Sequence, residues 1–584
     1  MSAVERVLTN RGIELEEIPH YINTTNEDIL PPSSINNIRE GATMLIKHIA
    51  ANDPIFIQVD SDADGYTSSA VLINYLTELF PYYTQNYVSF RLHKGKEHGV
   101  IVDTVPEGTK MVIIPDAGSN QYEEHKQLAE KGIDVLVIDH HESDRVSPYA
   151  CVINNQLCDY PTKSLSGVGM VYKFCSYIDE MLNSDCADDF LDLVALGLIS
   201  DVMSLKYFET RHLITLGLKQ IQNPFFSTMV KKQAFSLRDG ITPFGIAFYI
   251  TPYINATIRM GSNEEKLLLF ESMLTTKAYE EIPSTKRGCK GQFETKVEQA
   301  CRNCNNLKNH QTKARDLGLE TIEKIIENNN LLENKILLVQ LEPKHNIDKN
   351  LTGLVANQLM SKYQRPVLLL NRRETEHIYK EQDGSDVTYT EITWEGSCRN
   401  YDRGEFALLR SFLRDSGLVM YAEGHENALG TGIRDELIDT FINYSNTILA
   451  DYDFTPHYKV DFIFDSGNFN GKDILDIAAL KSLWGQGVEE PYIALEHVKV
   501  SKDNLTLMSR DKNPTLKITL PNGTSLIKFK SSEEEYQSLV ADSTLGCVVI
   551  SVVGRCEQNV WGGKATPQII IEDYEKTGEM KYYF

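Results

Sequence analysis

Long apolar runs are missing from this chain. No stretch is hydrophobic enough to span a bilayer, and the start, Met1-Ser2-Ala3-Val4-Glu5-Arg6, lacks the core of a signal peptide. A disulfide framework is missing too: the ten cysteines are scattered, as expected of reduced thiols in the cytoplasm. Cys301 and Cys304 form one C-x-x-C with no second Cys/His pair at zinc-finger spacing, so a helix face explains them better than zinc. Positive charge is scarce, with 58 Lys and Arg against 82 Asp and Glu. The resulting net charge of −24 argues against sequence-blind coating of nucleic acid, which rests on cations neutralising phosphates. A local basic groove or a metal-mediated phosphate contact stays open. No Gly-x-Ser-x-Gly elbow precedes a helix, and Gly167-Val168-Gly169 lacks a P-loop lysine. Internal repeats and low-complexity tracts are absent.

What is present is a set of apolar runs that end in metal-ligating side chains. Ile55–Val59 leads into Asp60-Ser61-Asp62-Ala63-Asp64-Gly65, and Met111–Ile114 into Pro115-Asp116-Ala117-Gly118. Ile133–Ile138 leads into Asp139-His140-His141, and Leu193–Ile199 into Ser200-Asp201. Read as four strands of an open parallel sheet, these runs converge at their C-terminal ends on one crevice, where such sheets bind ligands. An isolated D-x-D-x-D-G also resembles a calcium loop, but Val71 stands where an EF-hand needs its twelfth-position Glu. Hard oxygen donors with an imidazole suit Mn²⁺ or Mg²⁺ better than zinc. Asp60, Asp62, Asp116, His140 and Asp201 can hold two such ions, an arrangement that clamps the attacking and leaving oxygens in phosphoester hydrolysis. His141 is assigned to the phosphate or leaving group, with Asp139 orienting it.

A length of 584 residues implies several domains. Residues 1–50 read as an N-terminal leader with a short helix near 34–50. From 51 to 289, strand and helix patterns alternate as in a parallel sheet covered by helices. Apolar spacing at Phe293, Val297, Cys301, Cys304, Ala314, Leu317, Ile322 and Ile325 predicts a long linking helix over 290–333. A second αβ segment covers 334–455. The strand-rich 456–584, with a hairpin signal at Pro521-Asn522-Gly523-Thr524, reads as a small β-barrel. Arg91, Lys94, Lys96 and His98 form a basic run that suits a solvated face as well as a nucleic-acid contact.

With these motifs in place, the chain resembles the DHH-family phosphoesterases of the RecJ type over roughly residues 20–575. The metal motifs carry the likeness, together with Cys158-Asp159-Tyr160-Pro161, Leu165-Ser166-Gly167-Val168-Gly169, Val194-Ala195-Leu196-Gly197 and Thr251-Pro252-Tyr253-Ile254-Asn255-Ala256. Gly353-Leu354-Val355-Ala356, Gly396-Ser397-x-Arg399 and Gly424-His425-x-x-Ala428 resemble the DHH-associated domain. Trp484-Gly485, Glu490-Pro491 and Asn559-Val560-Trp561 are similar to the family's C-terminal OB-fold. The resemblance implies an α/β fold with a parallel-sheet DHH catalytic domain, a long linking helix, an αβ DHH-associated domain and an OB-fold barrel. It also implies Mn²⁺- or Mg²⁺-dependent 5′→3′ hydrolysis of single-stranded DNA to nucleotides. Asn255, Arg259, Ser397, Arg399, Gly424 and His425 match positions that hold the strand's phosphates. Single-strand-binding protein and a helicase are the partners it implies, for a cytoplasmic monomer without membrane contact. Departures are Ala256-Thr257-Ile258 before Arg259, where the family commonly has Gly, Ala422-Glu423 before Gly424-His425, and Ala117 after Asp116. Two other readings remain: a phosphodiesterase for short oligonucleotides or cyclic dinucleotides, which would lack 456–584, and a non-catalytic replisome scaffold, which would lose metal ligands.

Overall fold

The computed structural model describes all residues except 1, 96, 239, 349, 381–385, 510–512, 543–545, 562 and 582–584. Lys96 of the basic run therefore lies outside the described residues. Packing divides the chain into two compact units, Met1–Asn305 with Val460–Phe584, and Asn306–Lys459.

The first unit is built on a five-stranded sheet of β1 (Ile55–Val59), β2 (Val88–Leu92), β3 (Met111–Pro115), β4 (Asp134–Asp139) and β5 (Cys151–Asn154). All pairings are parallel, in the order β2-β1-β3-β4-β5. Helices cover both faces, so β1 and β3 are buried at every position, which is why they read as unbroken apolar runs. From β1 the chain crosses to β2 on one side and then returns to β3 on the other. The C-terminal ends of β1 and β3 are thus the topological switch point, where doubly wound sheets open a ligand crevice. Asp60 and Asp116 follow these two strands.

Helices α1 (Ala63–Leu79), α2 (Gly167–Leu182) and α3 (Leu191–Ser200) pack together behind the crevice. Here one expectation is overturned: the run Leu193–Ile199 is part of a helix, not a strand. The run is enclosed by α1, α2 and the helix Phe208–Lys219 and has no polar face, so the 3.6-residue period that would identify a helix is erased. Asp201 therefore caps a helix C-terminus, beside the carboxylates that follow β1 and β3.

The first fifty residues fold onto this unit. The helix Ala3–Asn10 is closed by a Ser2/Glu5 capping box, and Arg11 forms a double hydrogen bond to Asp461, 2.9 Å at each oxygen. Beyond it come α4 (Pro243–Tyr249), α5 (Thr251–Met260) and α6 (Lys296–Asn328). The last is the long helix, and it runs from the first unit into the second. Phe293, expected in that helix, lies instead in the short strand Phe293–Thr295, paired with Glu281–Pro283.

The second unit is a mixed sheet of β6 (Leu337–Leu341), β7 (Val367–Lys380), β8 (Asp386–Arg399), β9 (Tyr421–His425) and β10 (Ala428–Arg434), ordered β9-β10-β8-β7-β6. Helix α7 (Thr352–Tyr363) packs on β7 and β8. Within the first unit, residues 462–581 form a seven-stranded mixed sheet. Its strands Thr515–Thr519 and Ser525–Lys528 pair antiparallel around the Asn-Gly turn, where Gly523 takes φ +85°. Among the described residues, no helix is long and apolar enough to cross a membrane.

Candidate metal centre

Two groups of side chains meet at the switch point. Asp60, Asp62 and Asp116 bring carboxylate oxygens within 4.8 Å of one another, and Asp64, His140 and Asp201 do the same with theirs and the imidazole. The groups adjoin, with His140 Nε2 3.2 Å from Asp116 Oδ1 and 3.4 Å from Asp201 Oδ2. All five residues read as ligands from the sequence therefore gather here. Asp64, which has no role in that reading, joins them.

Each candidate ligand is positioned locally. Asp62 is the N-cap of α1, and its Oδ1 accepts the Gly65 N–H at 2.8 Å. Asp64, in the first turn of α1, spends only Oδ1, on Ser166 Oγ at 2.9 Å and the Val168 N–H at 3.3 Å. The positive end of the helix dipole favours both charges. Asp116 leaves β3 at φ +63°, a left-handed conformation that costs a residue with a Cβ about 1–2 kcal/mol. The surroundings over-determine it: the Asp116 N–H donates to Ile138 O at 2.8 Å, and a Cβ on Gly167 would lie 2.4 Å from the Asp116 side chain.

Asp139 holds the histidine pair in place. Its Oδ1 accepts the N–H groups of His140 (2.7 Å) and His141 (3.2 Å) and lies 2.7 Å from His141 Nδ1, while Oδ2 accepts the Ser119 N–H at 3.0 Å. Burial opposes ionisation of Asp139, but the bonds from His141 and Ser119 outweigh it and hold the carboxyl well below its usual range. The same bond pushes His141 up to about 9, so a half-exposed imidazolium faces the crevice at neutral pH. Burial lowers His140 and leaves a neutral imidazole suited to a cation.

The carboxylates crowd one another. Burial, then the charges of Asp64 and Asp62, raises Asp116 far above the ordinary carboxylate range. The same causes raise Asp201 to about 8. Asp62 is raised to about 6 by desolvation among the crevice walls and by Asp64, a shift that solvent moderates because the residue is exposed. Asp60 goes the other way: burial opposes, yet bonds from His93, His98 and the Gly99 N–H bring it down to about 2. His98 Nδ1 lies 2.7 Å from Asp60 Oδ2, and His93 Nε2 lies 3.5 Å from Oδ1.

Sequence reasoning misses these two histidines as site residues. His98 falls in a basic run that the structure breaks up: Arg91 pairs with Glu97 at 2.9 Å, His98 turns to Asp60, and Lys94 is exposed. The available signal is strand β2, whose C-terminal end delivers His93 beside the end of β1.

The donor set fits a divalent cation. Among the described residues, Asp116 Oδ1, Asp64 Oδ2 and His140 Nε2 are buried without hydrogen-bond partners. Buried polar atoms left unpaired cost several kcal/mol, on the order of 2–7 each against water, which a cation shared among them would recover. Oxygen-rich seats with one imidazole suit Mn²⁺ or Mg²⁺.

Asn255 and Arg259 lie on α5, which packs against α1; Asn255 is half-buried and Arg259 exposed. In the second unit, register aligns the other candidates. Arg399 pairs with Ala428, which pairs with His425, and Ser397 lies two residues along the same face of β8. Ser397 Oγ is 3.0 Å from Thr352 Oγ1 at the start of α7, and Arg399 approaches the space beside Gly353. His425 is exposed, and Gly424 bends the strand at φ +121°.

Comparison with known proteins agrees with this architecture. The model of the DHH family, N-terminal domain, matches residues 54–198, and that of the RecJ OB domain matches 460–573. The chain belongs to the DHH family and carries a RecJ OB domain. It is 38% identical over 575 residues to YorK of Bacillus subtilis (strain 168), named as a putative SPbeta prophage-derived single-strand DNA-specific exonuclease, covering 97% of this chain and 95% of YorK. It is 25% identical over 587 residues to the single-stranded-DNA-specific exonuclease RecJ of the same bacterium, covering 98% and 67%. The crystal structure of RecJ from Thermus thermophilus in complex with Mn²⁺ superimposes with a TM-score of 0.70 at 18% identity, covering 99% of this chain and 78% of that one.

Proposed function

We propose that this protein is a metal-dependent exonuclease that hydrolyses single-stranded DNA and releases nucleotides. The observation that carries the reading is the convergence of Asp60, Asp62, Asp64, Asp116, His140 and Asp201 on one crevice, with buried acceptors left unpaired. The substrate is taken from the relatives' names, and the 5′→3′ direction from the family resemblance. Two Mn²⁺ or Mg²⁺ ions, when bound, would supply an activated water and neutralise charge on the phosphate.

The chain's own residues then divide the work. The six ligands seat the cations, and Asp139 orients the His-His turn. His141, cationic at neutral pH, faces the phosphate or the departing oxygen. Arg259 and Arg399 offer forked donors to phosphate, and Asn255, Ser397, His425 and the Gly424 backbone add further polar contacts. The reading extends to a cytoplasmic monomer that acts on strands met by single-strand-binding protein and opened by a helicase.

The test is a time course on end-labelled single- and double-stranded DNA and RNA with Mn²⁺, Mg²⁺ or EDTA. Mononucleotides should appear from single-stranded DNA only when metal is present. Asp116→Ala should lose on the order of 10³-fold or more in rate while keeping its fold. Full activity in that variant, or in EDTA, would refute the assignment.

A further inference from the structure

Away from the metal centre, the first unit exposes a cluster of phenylalanines. Phe244 and Phe248, one turn apart on α4, stack at 4.3 Å with 28° between their planes and are 37% and 59% exposed. Phe235 is 81% exposed, with the Arg238 guanidinium 5.2 Å from its ring. Its loop is held against α4, since a Cβ on Gly245 would lie 2.8 Å from Leu237. Exposed apolar clusters of this kind mark binding surfaces.

Phe244 also walls a cavity of about 270 Å³ between α4 and the C-terminal sheet. Trp484, 3% exposed, and Ile570 form its apolar side. Charged pairs ring it: Lys481 with Glu557 at 2.5 Å, and Arg555 with Glu572 at 3.1 Å and Glu490 at 3.6 Å. Three carboxylates thus face two cations that they already engage. This rim repels a phosphate or an acidic peptide. It suits a neutral, flat ring whose amino groups can donate to carboxylates.

We propose that this cavity takes one base of the single strand, stacked on Phe244 against the Trp484 and Ile570 wall, with neighbouring bases on Phe248 and Phe235. The proposal rests on the single-stranded DNA reading above and adds a subsite to it. Aromatic stacking tolerates any base, while carboxylates accept from exocyclic amines such as that of cytosine. Lys231 and Lys232 end the helix Pro224–Lys232 in the stretch before Phe235, where they can neutralise the strand's phosphates.

The test measures binding of the full chain to a labelled DNA strand of roughly a dozen bases by fluorescence anisotropy. EDTA is present, so nothing is cleaved. A single abasic site is moved along the strand one position at a time. One position should weaken binding about tenfold, or ~1.4 kcal/mol. Phe244→Ala should weaken the intact strand by a similar factor and flatten the positional scan, while Phe244→Tyr should preserve it. Iododeoxyuridine at the sensitive position should photo-crosslink to a peptide containing Phe244 or Trp484. Tight binding with a flat wild-type scan, or a crosslink elsewhere, would overturn the pocket and leave the exonuclease reading standing. A strand that does not bind at all in EDTA would overturn the pocket, while the exonuclease reading is judged by the metal-dependent time course. A dimer split by Phe248→Glu, with unchanged strand affinity, would assign the face to a second copy and overturn the proposal.

Discussion

Taking up a divalent ion should cost this protein protons, and the cost should be visible between about pH 6 and 9. Asp201 is held at about 8 by burial and by Asp64 and Asp62, so at pH 7 about nine-tenths of it is protonated. A carboxylic acid must ionise to coordinate, which makes metal binding release protons. For this one group the penalty is about 1.4 kcal/mol at pH 7 and about 2.7 at pH 6. Apparent affinity should therefore rise about ninefold from pH 6 to 7, about fivefold from 7 to 8, and about twofold from 8 to 9. Asp116, also raised, adds to the slope, Asp62 at about 6 adds to its acid end, and Asp60 at about 2 adds nothing in this window. Calorimetric titration with Mn²⁺ in buffers of different ionisation enthalpy reads both affinity and released protons. Asp201→Asn should weaken binding at pH 9 and shrink proton release by about one per site at pH 7. A pH-independent affinity with no proton release would refute the electrostatic account of the cluster.

Three further outcomes follow from the packing. Gly197→Ala places a Cβ 2.4 Å from Thr67 Oγ1 and 2.6 Å from Asp64 Oδ1; it should cost about 1–3 kcal/mol by thermal unfolding and weaken Mn²⁺ binding as well, and retained metal affinity would show that α3 has room to move. Lys173, fully buried against Glu209, should on Lys173→Met lose about 3–5 kcal/mol in urea unfolding, because among the described residues Glu209 would keep only Tyr160 and the Leu30 N–H as partners; Lys173→Met with Glu209→Gln should recover most of it. His125 is buried with neither ring nitrogen bonded, and burial lowers it to about 4, so below pH 6.5 the unfolded chain takes the proton first and stability falls toward pH 4; the loss should be about 2 kcal/mol at pH 5 relative to pH 7.5, and absent in His125→Leu.

The parts of the site legible in sequence share one property: backbone geometry alone delivers them. β1, β3 and β4 are enclosed on both faces, so they appear as apolar runs, and the next residue begins the crevice. The missed parts depend on tertiary contact. β2 lies at the sheet edge and is only half-buried, so Arg91 dominates its pattern and hides His93 and His98. Asp64 sits one helical residue after an alternating D-x-D, yet its reach to His140 and Asp201 depends on Gly197 letting α3 close on α1. The alignment of Arg399 with His425 comes from the register of three strands, which residue spacing does not encode.

The same distinction explains why the sequence groups Asp201 correctly while disguising the element that carries it. A buried helix and a buried strand present similar composition, and both end where the chain must meet solvent. What selects the helix is enclosure by α1, α2 and Phe208–Lys219, with Gly197 and Gly217 allowing the close approach. That enclosure also fixes the chemistry. It brings Asp201 into the field of Asp64 and Asp62 and raises its proton affinity, and it leaves His140 Nε2 facing two carboxylates without a hydrogen bond. The packing that stabilises the lobe thus leaves its most crowded acceptors unpaired, and a divalent cation is the species whose charge and coordination number answer that arrangement.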